Sequence, residues 1–255
     1  MATGQDASRI TLRPLETLPE FREALTLQKE IWGFEDIELL PLRLFVVARK
    51  VGGQVIGAFD ESAAGGPMIG FLLAIPGLKK DRAYLHSHMM GVQPRYRNLG
   101  VGRRLKLAQR DDALQRGIGL VEWTFDPLEI KNAYFNIERL GARVRRFVLN
   151  QYGATSSPLH GGLPTDRCVA EWDLASERVC GVAAGGPAPH GEVAARVGVP
   201  NDIAAIRSTD YARARTIQQG VSNGFIENFS RGLTVTGLER TPDAAVYLFA
   251  KCPSE

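Results

Sequence analysis

Cysteine is scarce. Cys168, Cys180 and Cys252 are the only three in 255 residues. Their odd number argues against a disulfide framework, and none of their spacings suits a metal site. Reduced thiols and no metal are the simple expectation, and they point to the cytoplasm. Long apolar runs are also missing, so no segment reads as a membrane span. Met1 to Ser8 is polar and lacks the apolar core of a signal peptide. Neither sign of charge dominates, since 31 basic and 28 acidic residues leave a net charge of +3. That excess is too small to argue for nucleic acid, and no recognised motif or aromatic stacking surface accompanies it. Neither a membrane nor a nucleic acid is therefore an expected partner.

What is present is an ordinary globular composition, 44% hydrophobic and 23% charged, with length enough for one large or two small domains. Ile10 to Pro14 reads as a strand. Phe21, Leu25, Gln28 and Trp32 recur at helical spacing after Pro19 and predict a helix over 19–32. Leu42 to Val51 is a second helical stretch, stopped by Gly52-Gly53. Residues 54–59 and 68–75 read as a hairpin around Gly65-Gly66-Pro67. Tyr84 to Val92 is a fourth strand, followed by a helix from about Gly100 to Gly117. A strand over 120–125, a helix over 131–140 closed by Gly141, and strands over 143–149 and 168–174 complete this part. A loop from Asn150 to Arg167 separates the last two. The order predicts an α/β protein of α+β type, with a mixed central sheet flanked by helices.

Gly181, Gly185-Gly186, Pro187 and Pro189 make 176–191 read as a linker after a core spanning 1–175. A strand over 193–199, a long helix over 210–229 and a hairpin turning at Thr241-Pro242-Asp243 follow. This C-terminal helix–hairpin extension, 192–255, is too small to hold a large core alone. It is expected to dock on the core, where completing the sheet, covering a pocket and forming a homodimer interface are the roles open to it.

The densest chemistry lies between the fourth strand and the next helix. There Arg97-Asn98-Leu99-Gly100-Val101-Gly102 sits where a strand passes into a helix. Two glycines let an anion approach the backbone, and the first turn of a helix offers unpartnered N–H groups and a positive dipole. The loop therefore predicts a main-chain phosphate cradle, ringed by Arg95, Arg97, Arg103 and Arg104. A dinucleotide fingerprint needs a third glycine where Leu105 stands. A P-loop needs Lys-Ser/Thr where Arg103-Arg104 stands.

The remaining pattern is Gln/Arg-x-x-Gly-x-Gly/Ala, which the loop matches in full. With it come Val92 at the end of the fourth strand and the helix from Asn132-Ala133 to Arg139-Leu140-Gly141-Ala142. On these features residues 10–174 resemble the GNAT superfamily of acyl-CoA-dependent acyltransferases. The whole chain is similar to a poorly characterised bacterial branch of predicted N-acetyltransferases. That branch carries Ser-His-Met and Asn-Ala-x-Phe-Asn, here Ser87-His88-Met89 and Asn132-Ala133-Tyr134-Phe135-Asn136.

The resemblance implies a mostly antiparallel GNAT-like sheet and acetyl-CoA, or another acyl-CoA, as cosubstrate. By the same resemblance, main-chain groups of Met90 and Val92 hold the pantetheine arm where the fourth and fifth strands splay. Amides of Asn98, Leu99, Gly100, Val101, Gly102 and Arg103 hold the pyrophosphate, Arg97 and Arg103 add charge, and Asn132 and Asn136 face the pantetheine. Many members place a tyrosine proton donor where this chain has Ile137, so Tyr134, one turn earlier, is the substitute acid.

Acyl transfer to an amine needs a base, because an ammonium is not a nucleophile. His88 is the first choice, since a free imidazole titrates near neutrality. His86 shares its strand face by alternation, with Ser87 on the other. Glu122 on the neighbouring strand is the alternative base, and Ser87 is placed to relay a proton through water. Arg167 is expected either to pair with an acceptor carboxylate or to meet Asp166 or a buried acid. Trp123 and Trp172 read as core. The expected activity is N-acyl transfer from acyl-CoA to a small-molecule amine by direct attack in a ternary complex. A non-catalytic acyl-CoA sensor is the alternative.

Overall fold

Thr17 starts the first helix with a reciprocal cap. Its hydroxyl accepts from the Glu20 amide, and the Glu20 carboxylate accepts from the Thr17 amide at 2.9 Å. The helix α1 (Leu18–Trp32) then stops at Gly33, whose left-handed φ of 65° suits glycine. The computed structural model to which these elements belong describes residues 9–33, 35–153 and 161–252. It divides into two compact units, Met1–Val121 and Glu122–Glu255.

The first unit carries β1 (Ile10–Pro14), β2 (Gln54–Asp60), β3 (Met68–Lys79) and β4 (Arg82–Val92), neighbours in that order and each antiparallel to the next. Side chains alternate across such strands, so each face can bury its own helices. Val55, Phe59, Phe71 and Leu73 pack on one face against Phe21, Ala24 and Leu27 of α1 and Phe45 and Ala48 of α2 (Leu42–Lys50). Ile56, Ala58 and Leu72 alternate to the other face. There α3 (Val101–Gln115) buries Val101, Leu105 and Ala113. Both faces of β2 are thus covered, which is why all seven of its residues are buried. At Gly91 an added Cβ would lie 2.5 Å from the Trp32 ring, so the close approach of α1 to the end of β4 requires glycine.

The second unit carries β5 (Leu120–Phe125, opening at the unit boundary), β6 (Arg143–Val148), β7 (Arg167–Asp173), β8 (Val193–Pro200), β9 (Thr234–Arg240) and β10 (Ala244–Ala250). Their spatial order is β5-β7-β6-β9-β10-β8. The pairs β7–β6, β6–β9, β9–β10 and β10–β8 are antiparallel. The C-terminal hairpin therefore extends the sheet of β6 and β7, with Val144 opposite Val235. The strands of the C-terminal hairpin therefore lie in the same compact unit as β6 and β7.

The stretch expected as a linker holds a helix, α5 (Glu177–Ala183), which Ser176 caps by accepting from the Val179 amide. Its own Val179 and Val182 are buried. Its seven residues are too few for a periodicity to show against the surrounding glycines and prolines. A second short helix, α6 (Ile203–Thr209), precedes the long α7 (Tyr211–Ser230). On α7, Phe225 meets Phe147, Phe229, Tyr247 and Phe249 with ring centroids 4.9 to 5.8 Å apart. Phe225→Ala is expected to cost about 3–5 kcal/mol, the range for truncating a buried aromatic. Urea unfolding followed by circular dichroism would measure it.

Candidate active site

The glycine loop is built as a helix entrance. After Val92 a single turn at Pro94–Tyr96 reverses the chain, and Arg97 Nε donates back to the Val92 carbonyl at 3.1 Å. Asn98 has φ 65° and Gly100 φ 79°, so the backbone passes twice through the left-handed region. Asparagine and glycine are the residues that tolerate it. Gly100 caps α3 with no side chain, and the first bond of the helix runs from the Arg104 amide to the Gly100 carbonyl at 3.0 Å. The amides of Val101 and Gly102 precede that bond and have no carbonyl inside the helix to donate to. Around Gly100 the space is open, with nothing within 4 Å of where a Cβ would stand.

The loop is anchored from below by a pair that sequence reasoning missed. Tyr96 OH donates to Asp60 Oδ2 at 2.7 Å, and Asp60 Oδ1 accepts from the Ser62 amide at 2.9 Å. The Ser62 hydroxyl and then Tyr96 hold the Asp60 carboxyl below its usual range. Nothing in the local pattern marks a tyrosine and an aspartate 36 residues apart as partners. Of the expected arginines, Arg104 Nη2 is committed to the Ile10 carbonyl at 2.6 Å, and Arg95 Nη2 donates to Gln93 at 3.2 Å.

On β4 the register against β3 shifts by one residue. Leu73 pairs with Met89 and Ala74 with Ser87, so His88 is the extra residue of a bulge. Leu73 belongs to the face packed on α1 and α2, and Met89 lies there too. Ser87 is buried on the opposite face, where Lys106 Nζ of α3 donates to its hydroxyl at 3.0 Å. His88 itself is exposed, with its ring 6.0 Å from that of His86. The shared side expected for the two histidines is present. Ser87 stands away from it, pointing into the helix packing. Though exposed, the His88 ring is partly desolvated by the protein around it, which disfavours the imidazolium and lowers its pKa below the ordinary value.

In the second unit, Glu122 is buried and accepts from Arg146 Nη2 at 2.7 Å. A bulge between Val144 and Arg146 brings Arg145 and Arg146 together onto Glu171, at 2.8 and 3.0 Å. The next helix, α4 (Ile130–Tyr134), widens into a π-turn over Phe135–Arg139. Asn136 is buried and donates from Nδ2 to Asn132 Oδ1 at 3.3 Å. Tyr134 and Ile137 do not share a face: Tyr134 is 37% exposed and Ile137 is fully buried. The widened turn breaks the 3.6-residue phase on which their equivalence rested. Arg167 is buried too, with Nη1 3.9 Å from Asp126, an acid it shares with Arg207 at 3.2 Å. Its partner is thus a buried acid, and Asp166 instead accepts from Ser222 Oγ at 2.6 Å. Trp123 and Trp172 are core, edge to face at 5.9 Å.

No protein-family model matches this sequence, and no curated protein matches it either. Solved structures do match by shape. Arabidopsis thaliana NAA60 in complex with acetyl-CoA superposes with a TM-score of 0.55 at 16% identity, over 66% of this chain and 99% of that one. A chain of the NatC complex bound to Gag peptide and CoA gives 0.53 at 15%, over 66% and 99%. A putative acetyltransferase of the GNAT family from Desulfovibrio desulfuricans gives 0.51 at 13%, over 65% and 99%. The fold is the GNAT fold. It accounts for about two thirds of the chain, and the other third lies beyond the length of these neighbours.

Within the GNAT fold the loop fits a diphosphate on its own geometry. The amides of Val101 and Gly102 stand at the positive end of a 15-residue helix, with open space at Gly100 in front of it. Gly100→Val would place a β-branched residue at φ 79°, a strain of about 1–2 kcal/mol. It is expected to weaken uptake of a diphosphate anion at the loop on the order of tenfold in calorimetry by moving the amides. Among the described residues no helix is long and apolar enough to cross a membrane, and no group of three or more His, Cys, Asp or Glu side chains is placed to hold a metal ion.

Proposed function

We propose that this chain is an acyl-CoA-dependent N-acyltransferase that moves an acetyl or other short acyl group to a small-molecule amine by direct attack. The observation that carries this reading is the helix entrance at Gly100, whose amides are left without helical partners directly after β4, in the GNAT fold. That two neighbours of this fold were solved with CoA or acetyl-CoA supports the choice of cosubstrate.

Bound acetyl-CoA supplies an activated acyl carbon, with a thiolate as leaving group. The main-chain amides of Val101 and Gly102 hold the diphosphate, with Arg97 adding charge. His88 takes the proton that the acceptor ammonium must lose before its lone pair can attack. A lowered pKa keeps the imidazole neutral, the form that accepts a proton, at physiological pH.

Calorimetry with acetyl-CoA, followed by thiol release against a panel of small amines and peptide N-termini, tests this. Uptake with turnover on small amines supports it, and turnover on peptides alone would reassign the acceptor. Uptake with no turnover on any amine would favour a sensor. Well-folded protein that takes up no acetyl-CoA would overturn it.

A further inference from the structure

The reading above makes the position of His88 decisive, and the inference drawn here rests on it. A bulged residue has no cross-strand partner of its own, so the ladder alone holds it weakly. A slip of one residue would turn every side chain of β4 beyond it to the opposite face. Something has to fix the register beside it.

Beneath the bulge lies a chain of buried polar groups. Lys106 is 2% exposed, and its Nζ donates to Ser87 Oγ at 3.0 Å and to Gln109 Oε1 at 2.9 Å. Gln109 Nε2 donates to Gln54 Oε1 at 2.9 Å. Gln54 Nε2 in turn donates to the Gln109 carbonyl at 2.9 Å and to Asp112 Oδ2 at 2.6 Å. The chain thus ties α3 and β2 to the residue of β4 that directly precedes His88. Burial of an ammonium is costly unless it is bonded, and burial pushes the Lys106 pKa well below its ordinary value. An apolar residue would fill this site more cheaply, so the bonds are the reason for a lysine. Two glutamine amides interrupt the chain, and an amide does not pass a proton in its ordinary tautomer. The chain holds and does not conduct.

We propose that Lys106, braced by Gln109 and Gln54 and acting through the Ser87 hydroxyl, locks the β4 bulge in register and so sets where His88 stands. Lys106 and Ser87 are positioning residues for the base.

The test uses Lys106→Met, which keeps length without the bonds, and Ser87→Ala, the milder change should the first fail to fold. Proton magnetic resonance follows the His88 imidazole through a pH titration, its signal assigned by its loss in His88→Gln. In both variants the midpoint is expected to rise toward that of an ordinary exposed histidine. Acetyl transfer is expected to lose about 10²-fold in kcat, the scale of an ångström-sized misplacement, with KM for acetyl-CoA unchanged. Ser87→Thr, which keeps the hydroxyl, is expected to stay at the wild-type values. An unchanged His88 titration in either folded variant would overturn the proposal. The magnetic resonance readout needs no substrate, so wild-type protein that takes up no acetyl-CoA would overturn the acyltransferase reading alone.

Discussion

On the proposed acyltransferase reading, His88→Gln is expected to lower kcat for amine acetylation by about 10²–10⁴-fold, the usual contribution of a positioned base. Acetyl-CoA affinity is expected to hold, because the proposed diphosphate contacts lie at the start of α3 and not on the bulge. The pH profile of kcat/KM in the wild type should carry an acid limb below 6.5, since the surroundings of His88 lower its pKa from that value. The sign follows from the imidazole: below its pKa it is protonated and cannot accept the ammonium's proton. His88→Gln should abolish that limb. The same shift acts on stability. Unfolding raises the pKa back to its ordinary value, so the unfolded chain binds more protons as pH falls through 6.5. Stability at His88 is therefore complete above that pH and declines below it. Steady-state kinetics from pH 5 to 9 would decide the matter, and a variant with wild-type kcat would remove His88 from the mechanism.

Arg178→Met is expected to destabilise the protein by about 3–5 kcal/mol, the largest loss foreseen for a single polar side chain. Arg178 is 5% exposed and makes its bonds to carbonyls rather than carboxylates. Nε donates to Gly141 at 2.8 Å, Nη2 to Thr236 at 2.7 Å and to Ile137 at 3.3 Å, and Nη1 donates to Pro189. One side chain thus joins the end of the π-turn, the segment after α5 and strand β9. Burial first, and Arg143 next, push its pKa down to about 10, with Glu138 opposing. The group stays charged at neutral pH, where charge strengthens each bond. Methionine fills the same volume but leaves four carbonyls without their donor. A urea midpoint that drops with m unchanged is the expected observation. A loss below about 1 kcal/mol would mean that water replaces the guanidinium.

Local pattern was enough for most elements. Leu120 to Phe125 is a strand with those bounds, and the first helix, read over 19–32, spans Leu18–Trp32. The strand stands out by its aromatic and β-branched residues, and the helix by apolar residues recurring at helical spacing. The helix entrance at Gly100 was legible for a similar reason, since two glycines and an arginine at fixed spacing are a local signal. What stayed hidden was either short or depended on a partner far away. The helices α5 and α6 have seven residues each, fewer than a periodicity needs. The Tyr96–Asp60 anchor joins residues 36 apart and shows no local sign. Tyr134 was placed by a 3.6-residue phase that the π-turn does not keep.

The amino-acid order alone determined most strands and the longer helices, the glycine-marked entrance of α3 and the two histidines of β4 on one side, because period and glycine placement are properties of neighbouring residues. The bulge that singles out His88, the lysine beneath it and the buried acid that meets Arg167 were decided by tertiary structure. Register and charge pairing depend on which side chains other elements bring to the same place, and no stretch of β4 or β7 contains that information by itself.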